Sequence, residues 1–236
     1  MKMMTCEGEE FYTKPIANQN PELKVLKNLD GTNIIDFFLI NEIVDIADYL
    51  DFLRELDNAQ EGDLVKVHIN CVGGVVDVAL NIYDALINTA ASVKIIMEGE
   101  CASAASMILL AGDEWEVREH SYAMVHSWTG GDYGKWNEVQ AQHDFTKRYH
   151  EKKFCELYKD FLTDDEIAKC LEGKDFWFDN KQVEERLQNY VKDKVARQKI
   201  LEKITDKYNV LISKEVNKAF STYEKSKEPK AEKTKR

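Results

Sequence analysis

Three short segments rich in β-branched and aromatic residues, each followed by a stretch with helical spacing, constrain this chain more than anything else in it. Ile34 to Ile40, Leu64 to Asn70 and Val93 to Gly99 read as strands. After the first, Ile43, Ile46, Leu50, Leu53 and Leu56 recur at steps of three and four, which predicts a helix over residues 41–57. After the second, Val78, Ile82, Leu86 and Ile87 predict an inward face over residues 75–88. After the third, Ala102 to Ala111 is small and apolar, as a buried helix must be. Strand then helix, three times within the first 112 residues, predicts an α/β fold with right-handed crossovers. No segment recurs at a fixed length.

The rest of the chain follows in outline. Trp115 to Arg118 and Tyr122 to His126 read as two more strands, and Trp128 to Tyr133 as a Gly-rich loop. A long helix is expected from about Lys135 to Phe161, then one from Asp164 to Glu172 with Thr163 as N-cap, then one from Asn180 to Gln188. Residues 1–32, with turn signals at Pro15, Pro21 and Asp30-Gly31, read as an N-terminal arm, and residues 33–190 as the main domain. Leu201, Ile204, Tyr208, Leu211, Val216, Phe220 and Tyr223 predict an amphipathic helical extension over residues 191–223, which packs on the body or takes a partner. The Lys/Glu-rich residues 224–236 are expected to be a disordered charged tail.

Charge narrows the partners. The net charge is −11, which argues against nucleic acid as the main ligand. Residues 191–236 hold 14 Lys and Arg against 7 Asp and Glu, a net of +7 that leaves −18 on the rest and marks a separate terminal module. No apolar run approaches the roughly 20 residues a membrane helix needs, and residues 1–20 lack the apolar core of a signal peptide. The expectation is a cytoplasmic protein with no membrane partner. The five cysteines are scattered and follow no metal-ligand spacing, so they read as buried reduced thiols, with no metal and no cofactor expected.

Chemistry concentrates in Gly99-Glu100-Cys101-Ala102-Ser103-Ala104-Ala105-Ser106-Met107. A serine is a poor nucleophile unless a base lies within hydrogen-bond reach. Small neighbours leave room for an acyl group at Ser103, and a helix starting here aims N–H groups at developing negative charge. Ser106 competes, but one turn later it points into packing. His126 ends an apolar strand, with His68, His120, His143 and His150 as rival bases. Asp175, beside Phe176-Trp177-Phe178, is a candidate to orient an imidazole, and Asp179 is its rival. Gly73-Gly74 ends an earlier strand and is a candidate source of a backbone oxyanion donor.

With these residues in hand, the stretch from about Ile34 to Tyr190 resembles the ClpP family, the proteolytic subunit of the Clp proteases. Ile69-Asn70-Cys71-Val72-Gly73-Gly74-Val75 is similar to that family's I-N-S-P-G-G-V, and Asn81-Ile82-Tyr83-Asp84-Ala85-Leu86 to its S-I-Y-D-T-M. Gly99-Glu100-Cys101-Ala102-Ser103 resembles G-Q-A-A-S, Met107 to Gly112 resembles F-L-L-A-A-G, Met124-Val125-His126 resembles M-I-H, and Lys174 to Phe178 resembles R-D-x-F-[LM]. Ser103 lies 30 residues after Gly73 and nine before Gly112, as the family's nucleophile does, and Ser106 fits neither interval. The 23 residues from Ser103 to His126 are two fewer than in the family, and the 49 from His126 to Asp175 match it.

The resemblance implies a ClpP/crotonase-like spiral of strand-helix units with a long handle helix. It implies Ser103 as nucleophile, His126 as general base, Asp175 as its orienter, and the N–H groups of Gly74 and Ala104 as oxyanion hole. It further implies a self-compartmentalising serine endopeptidase, assembled as a homo-oligomeric heptameric ring or double ring. Such a ring takes peptide or unfolded-protein substrate from an AAA+ unfoldase. The chain departs from the pattern at Cys71-Val72, at Ala104-Ala105 and at Ser127-Trp128, which bear on the pocket more than on the triad. Neither end looks like the family's. Two other readings keep the fold: a phage capsid-maturation protease of the same chemistry, and a non-catalytic ring or assembly subunit. A crotonase-type acyl-CoA enzyme needs no Ser-His-Asp set, so the matched triad counts against it.

Overall fold

The structure, a computed structural model, describes residues 2–4, 10–12, 21–131 and 133–191, with helical positions at 205, 212–214 and 216. The chain divides into two compact units, residues 1–188 and 189–236. In the second, the isolated positions 205, 212–214 and 216 are helical and exposed. The rest of the predicted 191–223 extension beyond residue 191, and all of the 224–236 tail, lie outside the described residues.

In the first unit, β1 (Lys2–Met4) and β2 (Glu10–Tyr12) form a small antiparallel ribbon. The main sheet starts with β3 (Glu22–Lys27) and β4 (Asn33–Ile43). A 3-10 turn, Ile46–Tyr49, and α1 (Leu50–Asn58) lead to β5 (Leu64–Gly74). Next come α2 (Val76–Asn88), β6 (Ser92–Ala102), α3 (Ala104–Leu109), β7 (Glu114–Val117) and β8 (Tyr122–Val125). The long α4 (Trp136–Tyr158), α5 (Asp164–Leu171), β9 (Phe176–Asp179) and α6 (residues 180–188) complete it. Among the described residues no helix is long and apolar enough to cross a membrane.

The expected α/β architecture is present. Strands run in the order β3-β4-β5-β6-β8-β9, with β4, β5, β6 and β8 parallel. β6 serves two parallel partners in turn: Lys94 to Met97 pair with β7, and Glu100 to Ala102 with β8. Alternation sorts the two faces of the sheet. Phe37, Leu39, Val67, Ile69, Ile95 and Met97 are buried, and Phe37 stacks on Phe52 of α1 with ring centroids 3.8 Å apart. The intervening residues make a mixed face, with Phe38 and buried Ile96 beside Asp36, Lys66, His68, Lys94 and Glu98. There His68 stacks on Phe38 and reaches Glu98 at 2.9 Å and Asp36 at 3.6 Å.

Several local expectations change. Residues 41–43 continue β4 instead of opening a helix, because Ile43 pairs with Gly74 across the sheet. Asp45 then caps the turn by accepting the Ala47 N–H, and the inward face of α1 becomes Tyr49, Phe52 and Leu56, leaving Leu50 exposed. Ile87 of α2 is exposed as well, and Ala79 takes its place in the core. Residues 22–27, placed in the arm on sequence, form an antiparallel edge strand on β4, and β9 is a second such edge that no strand pattern announced. The Thr163 cap is present as a full capping box with Glu166.

Candidate active site

Ser103 is the single residue between the end of β6 and the start of α3, at φ 54 and ψ −126. A residue with a Cβ in such a region stores about 1–3 kcal/mol of strain, which only an over-determined surrounding maintains. That surrounding is visible on three sides. The Ser103 N–H donates to the Met124 carbonyl at 2.8 Å. Its own carbonyl accepts the Ser106 N–H at 2.9 Å and the Ser106 hydroxyl at 2.6 Å. On the third side lies Gly73, at φ +97, where an added Cβ would sit 2.7 Å from the Ser103 Cβ and 2.9 Å from the Ala104 nitrogen.

The parallel sheet explains why these groups converge. In open α/β sheets, strand C-termini gather at one edge, and that edge is where sites form. β5 ends in Gly73-Gly74, β6 in the residue before Ser103, and β8 in the residue before His126. With Ala102 opposite Met124, the imidazole is brought to the serine, and His126 Nε2 lies 2.7 Å from Ser103 Oγ. β9 runs antiparallel to β8 with Phe176 opposite Val125, so the next rung sets Asp175 across from His126. His126 Nδ1 and Asp175 Oδ1 are 3.8 Å apart, an ion-pair separation longer than a hydrogen bond. The Asp175 side chain is 54% exposed, against 21% for His126.

Of the two backbone donors expected at the site, Ala104 directly follows Ser103 and Gly74 is the last residue of β5. Ala104 is the first residue of α3, where an N–H has no acceptor within its own helix. Gly74 sits at φ +140, and a Cβ there would run into the Ile43 carbonyl oxygen, so no side chain is tolerated. Buried Cys71 accepts the Gly73 N–H on its sulfur at 3.4 Å. Burial pushes that thiol up to about 11, so it stays neutral. Among the described residues no cluster of three His, Cys, Asp or Glu is arranged to hold a metal.

The rivals are engaged elsewhere. Ser106 is 2% exposed, and its hydroxyl is taken up by the Ser103 carbonyl and Tyr158. Asp179 accepts the Gln182 N–H at 2.9 Å and its own N–H donates to the Gln182 side chain, capping α6. His68 belongs to the mixed sheet face, and His120 and His143 are exposed. His150 packs its ring against Trp128. Sequence reasoning missed Tyr158, because a tyrosine at the end of a helix carries no local signal of a distant hydroxyl partner. It also missed the positive φ of Ser103, which glycine usually announces.

A serine on a strained strand-to-helix turn, with an imidazole nitrogen at hydrogen-bond distance, defines the class of nucleophilic-serine folds. Within that class the chain belongs to the Clp protease family, whose family model matches residues 24–186. Several relatives carry the name ATP-dependent Clp protease proteolytic subunit. The one from Bacteroides thetaiotaomicron is 30% identical over 139 residues, covering 56% of this chain and 61% of the relative. That from Bacteroides fragilis is 33% identical over 108 residues, 45% of this chain and 50% of the relative. That from Chlorella vulgaris is 34% identical over 111 residues, 46% and 52% respectively. The chain thus spans about half to three-fifths of the length of the curated relatives it matches.

Proposed function

We propose that this chain is a serine endopeptidase that cleaves peptide bonds through an acyl-enzyme on Ser103. The observation that carries the reading is the 2.7 Å contact between His126 Nε2 and Ser103 Oγ on a backbone held at φ 54. His126 takes the hydroxyl proton as Oγ attacks the scissile carbonyl carbon. The oxyanion is received by the N–H groups of Gly74 and Ala104, and the imidazolium passes its proton to the departing amine. Water, deprotonated by His126, then releases the acyl group. Asp175 favours the tautomer with a proton on Nδ1 and stabilises the imidazolium.

Family membership supports the chemistry and a wider assembly. On this reading the chain forms a homo-oligomeric compartment, a heptameric ring or double ring, with α4 as the handle between rings. It degrades peptides or unfolded chains delivered by an AAA+ unfoldase. A cytoplasmic setting goes with this reading, as Cys71, Cys101, Cys155 and Cys170 are free thiols. Labelling the purified protein with a fluorophosphonate, with the modified peptide mapped by mass spectrometry, tests the core of it. Label on Ser103 that disappears in Ser103→Ala is the expected result. A folded, assembled protein that takes no label, alone or with candidate unfoldases, overturns it.

A further inference from the structure

Behind the candidate nucleophile lies a buried polar chain that the hydrolytic reading leaves without a task. Tyr158, the last residue of α4, is 1% exposed, and its hydroxyl lies 2.6 Å from Ser106 Oγ. Ser106 Oγ lies 2.6 Å from the Ser103 carbonyl oxygen. The direction of both bonds follows from the proton inventory. A carbonyl oxygen only accepts, so the single Ser106 hydroxyl proton goes to Ser103. The Tyr158 hydroxyl must therefore donate to Ser106 Oγ. Burial raises the Tyr158 phenol further above its ordinary range, so it remains a donor at any working pH.

This polar chain ends on the one carbonyl whose orientation sets the strained turn. The Ser103 carbonyl follows the ψ −126 bond, and rotating it away at φ 54 would relax the serine toward the left-handed helical region, the allowed well for a residue with a Cβ at that φ. Two donors hold it: the Ser106 N–H, as in any first helical turn, and the Ser106 hydroxyl, which is specific to serine at this position. A donated bond from Tyr158 polarises the Ser106 hydroxyl and strengthens its own donation. Apolar residues here, Phe at 158 and Ala at 106, would complete the same packing without any buried polar group to satisfy. Two hydroxyls in contact, where none is needed for packing, indicate a role in geometry.

We propose that Ser106 and Tyr158 are positioning residues for Ser103: the two consecutive hydrogen bonds from the end of α4 hold its backbone at the conformation that presents Oγ to His126. The proposal rests on the reading of Ser103 as nucleophile and extends it to residues that touch neither substrate nor base.

The test uses Tyr158→Phe, which keeps the ring packed 4.6 Å from Phe154, together with Ser106→Ala and the double variant in the full chain. The fluorophosphonate labelling rate of Ser103 is expected to fall about tenfold in Tyr158→Phe, the loss typical of one neutral hydrogen bond. KM for a short peptide and the pH midpoint are expected to stay unchanged. The fall is expected to be larger in Ser106→Ala, with the double variant no worse than Ser106→Ala, because one chain of bonds is cut in each case. Hydrogen exchange of the peptide covering residues 100–107 is expected to quicken in Tyr158→Phe while that of β4 does not change. Labelling within twofold of the parent in folded variants overturns the proposal, as does additivity of the two substitutions. Faster exchange throughout the chain overturns it too, since that is the mark of a general loss of stability. Should the parent itself take no label, the peptidase reading fails. The exchange measurement then still decides whether Tyr158 holds the turn, and unchanged exchange at residues 100–107 sinks it.

Discussion

The two halves of the proposed triad are built to different standards. On one side, Ser103 and His126 are 2.7 Å apart, and both backbone polar groups of the serine are pinned by partners from β8, α3 and, through Ser106, α4. On the other, His126 and Asp175 are 3.8 Å apart, and the carboxylate is more than half exposed just ahead of an edge strand. The contrast follows from what each contact has to do. A nucleophile and its base must be within hydrogen-bond distance at a fixed angle, and that demands a rigid, close-packed turn. A carboxylate acts on the imidazole partly by charge, which falls off gently with distance, so it tolerates a looser seat.

The contrast breaks most visibly at the serine. Ser103→Ala and His126→Ala are each expected to lower kcat for a peptide substrate by about a millionfold, as for other serine-histidine pairs, and the double variant by no more. Steady-state kinetics on the folded variants reads this. Next in size comes the end of β5, where it meets β4. Gly74→Ala drives a methyl group into the Ile43 carbonyl oxygen and is expected to destabilise the fold by about 3 kcal/mol, read as a lower thermal midpoint. Asp175→Ala, at an exposed edge, is expected to move stability by less than about 0.5 kcal/mol.

On catalysis, Asp175→Asn sharpens the comparison. A buried, hydrogen-bonded triad aspartate contributes roughly ten-thousandfold to kcat. At 3.8 Å and half exposed, Asp175 is expected to contribute about a hundredfold. A loss as large as in a buried triad would mean that the carboxylate closes on the imidazole when substrate or partner binds.

A last effect, on stability and its pH dependence and not on rate, concerns what holds the looser side in place. Arg186 of α6 donates to both Glu166 carboxylate oxygens, at 2.7 and 3.0 Å, and lies over the ring of Phe178 in β9. Burial by itself would raise the Glu166 carboxyl, but bonds from Arg186 and Thr163 outweigh it and hold the group below its ordinary value of 4.5. Because ionisation is easier in the folded chain, the brace contributes fully above 4.5 and is lost as pH falls through the lower folded value. Glu166→Gln is expected to cost about 2 kcal/mol at pH 7, with the gap to the parent closing as pH drops toward 3. Thermal melts across that window check the sign.

Most of the tight side is legible in the amino-acid sequence, and the looser side much less so. Gly73, Ser103 and His126 each sit at the end of an apolar run, and runs are local signals that spacing can index. From its aromatic neighbours Asp175 is only one of two candidates, and resemblance to a family motif is what separates it from Asp179, because β9 is four residues long and finds its place by pairing with β8. Helical spacing turns Leu50 inward, yet it is exposed, since a stripe of three- and four-residue steps cannot show that its first member, Ile43, is held by a strand.

What the amino-acid sequence determined alone is the alternation of strand and helix and the intervals between the glycines, the serine and the histidine. Periodicity and spacing are properties of neighbours along the chain, so they need no knowledge of distant contacts. What only the tertiary structure decided is the left-handed turn at Ser103, the buried bond from Tyr158 through Ser106 that holds it, and the two antiparallel edges of the sheet. Each depends on partners that lie apart in the chain. Sheet register and core packing choose such partners from many chemically equivalent ones, and no local pattern records that choice.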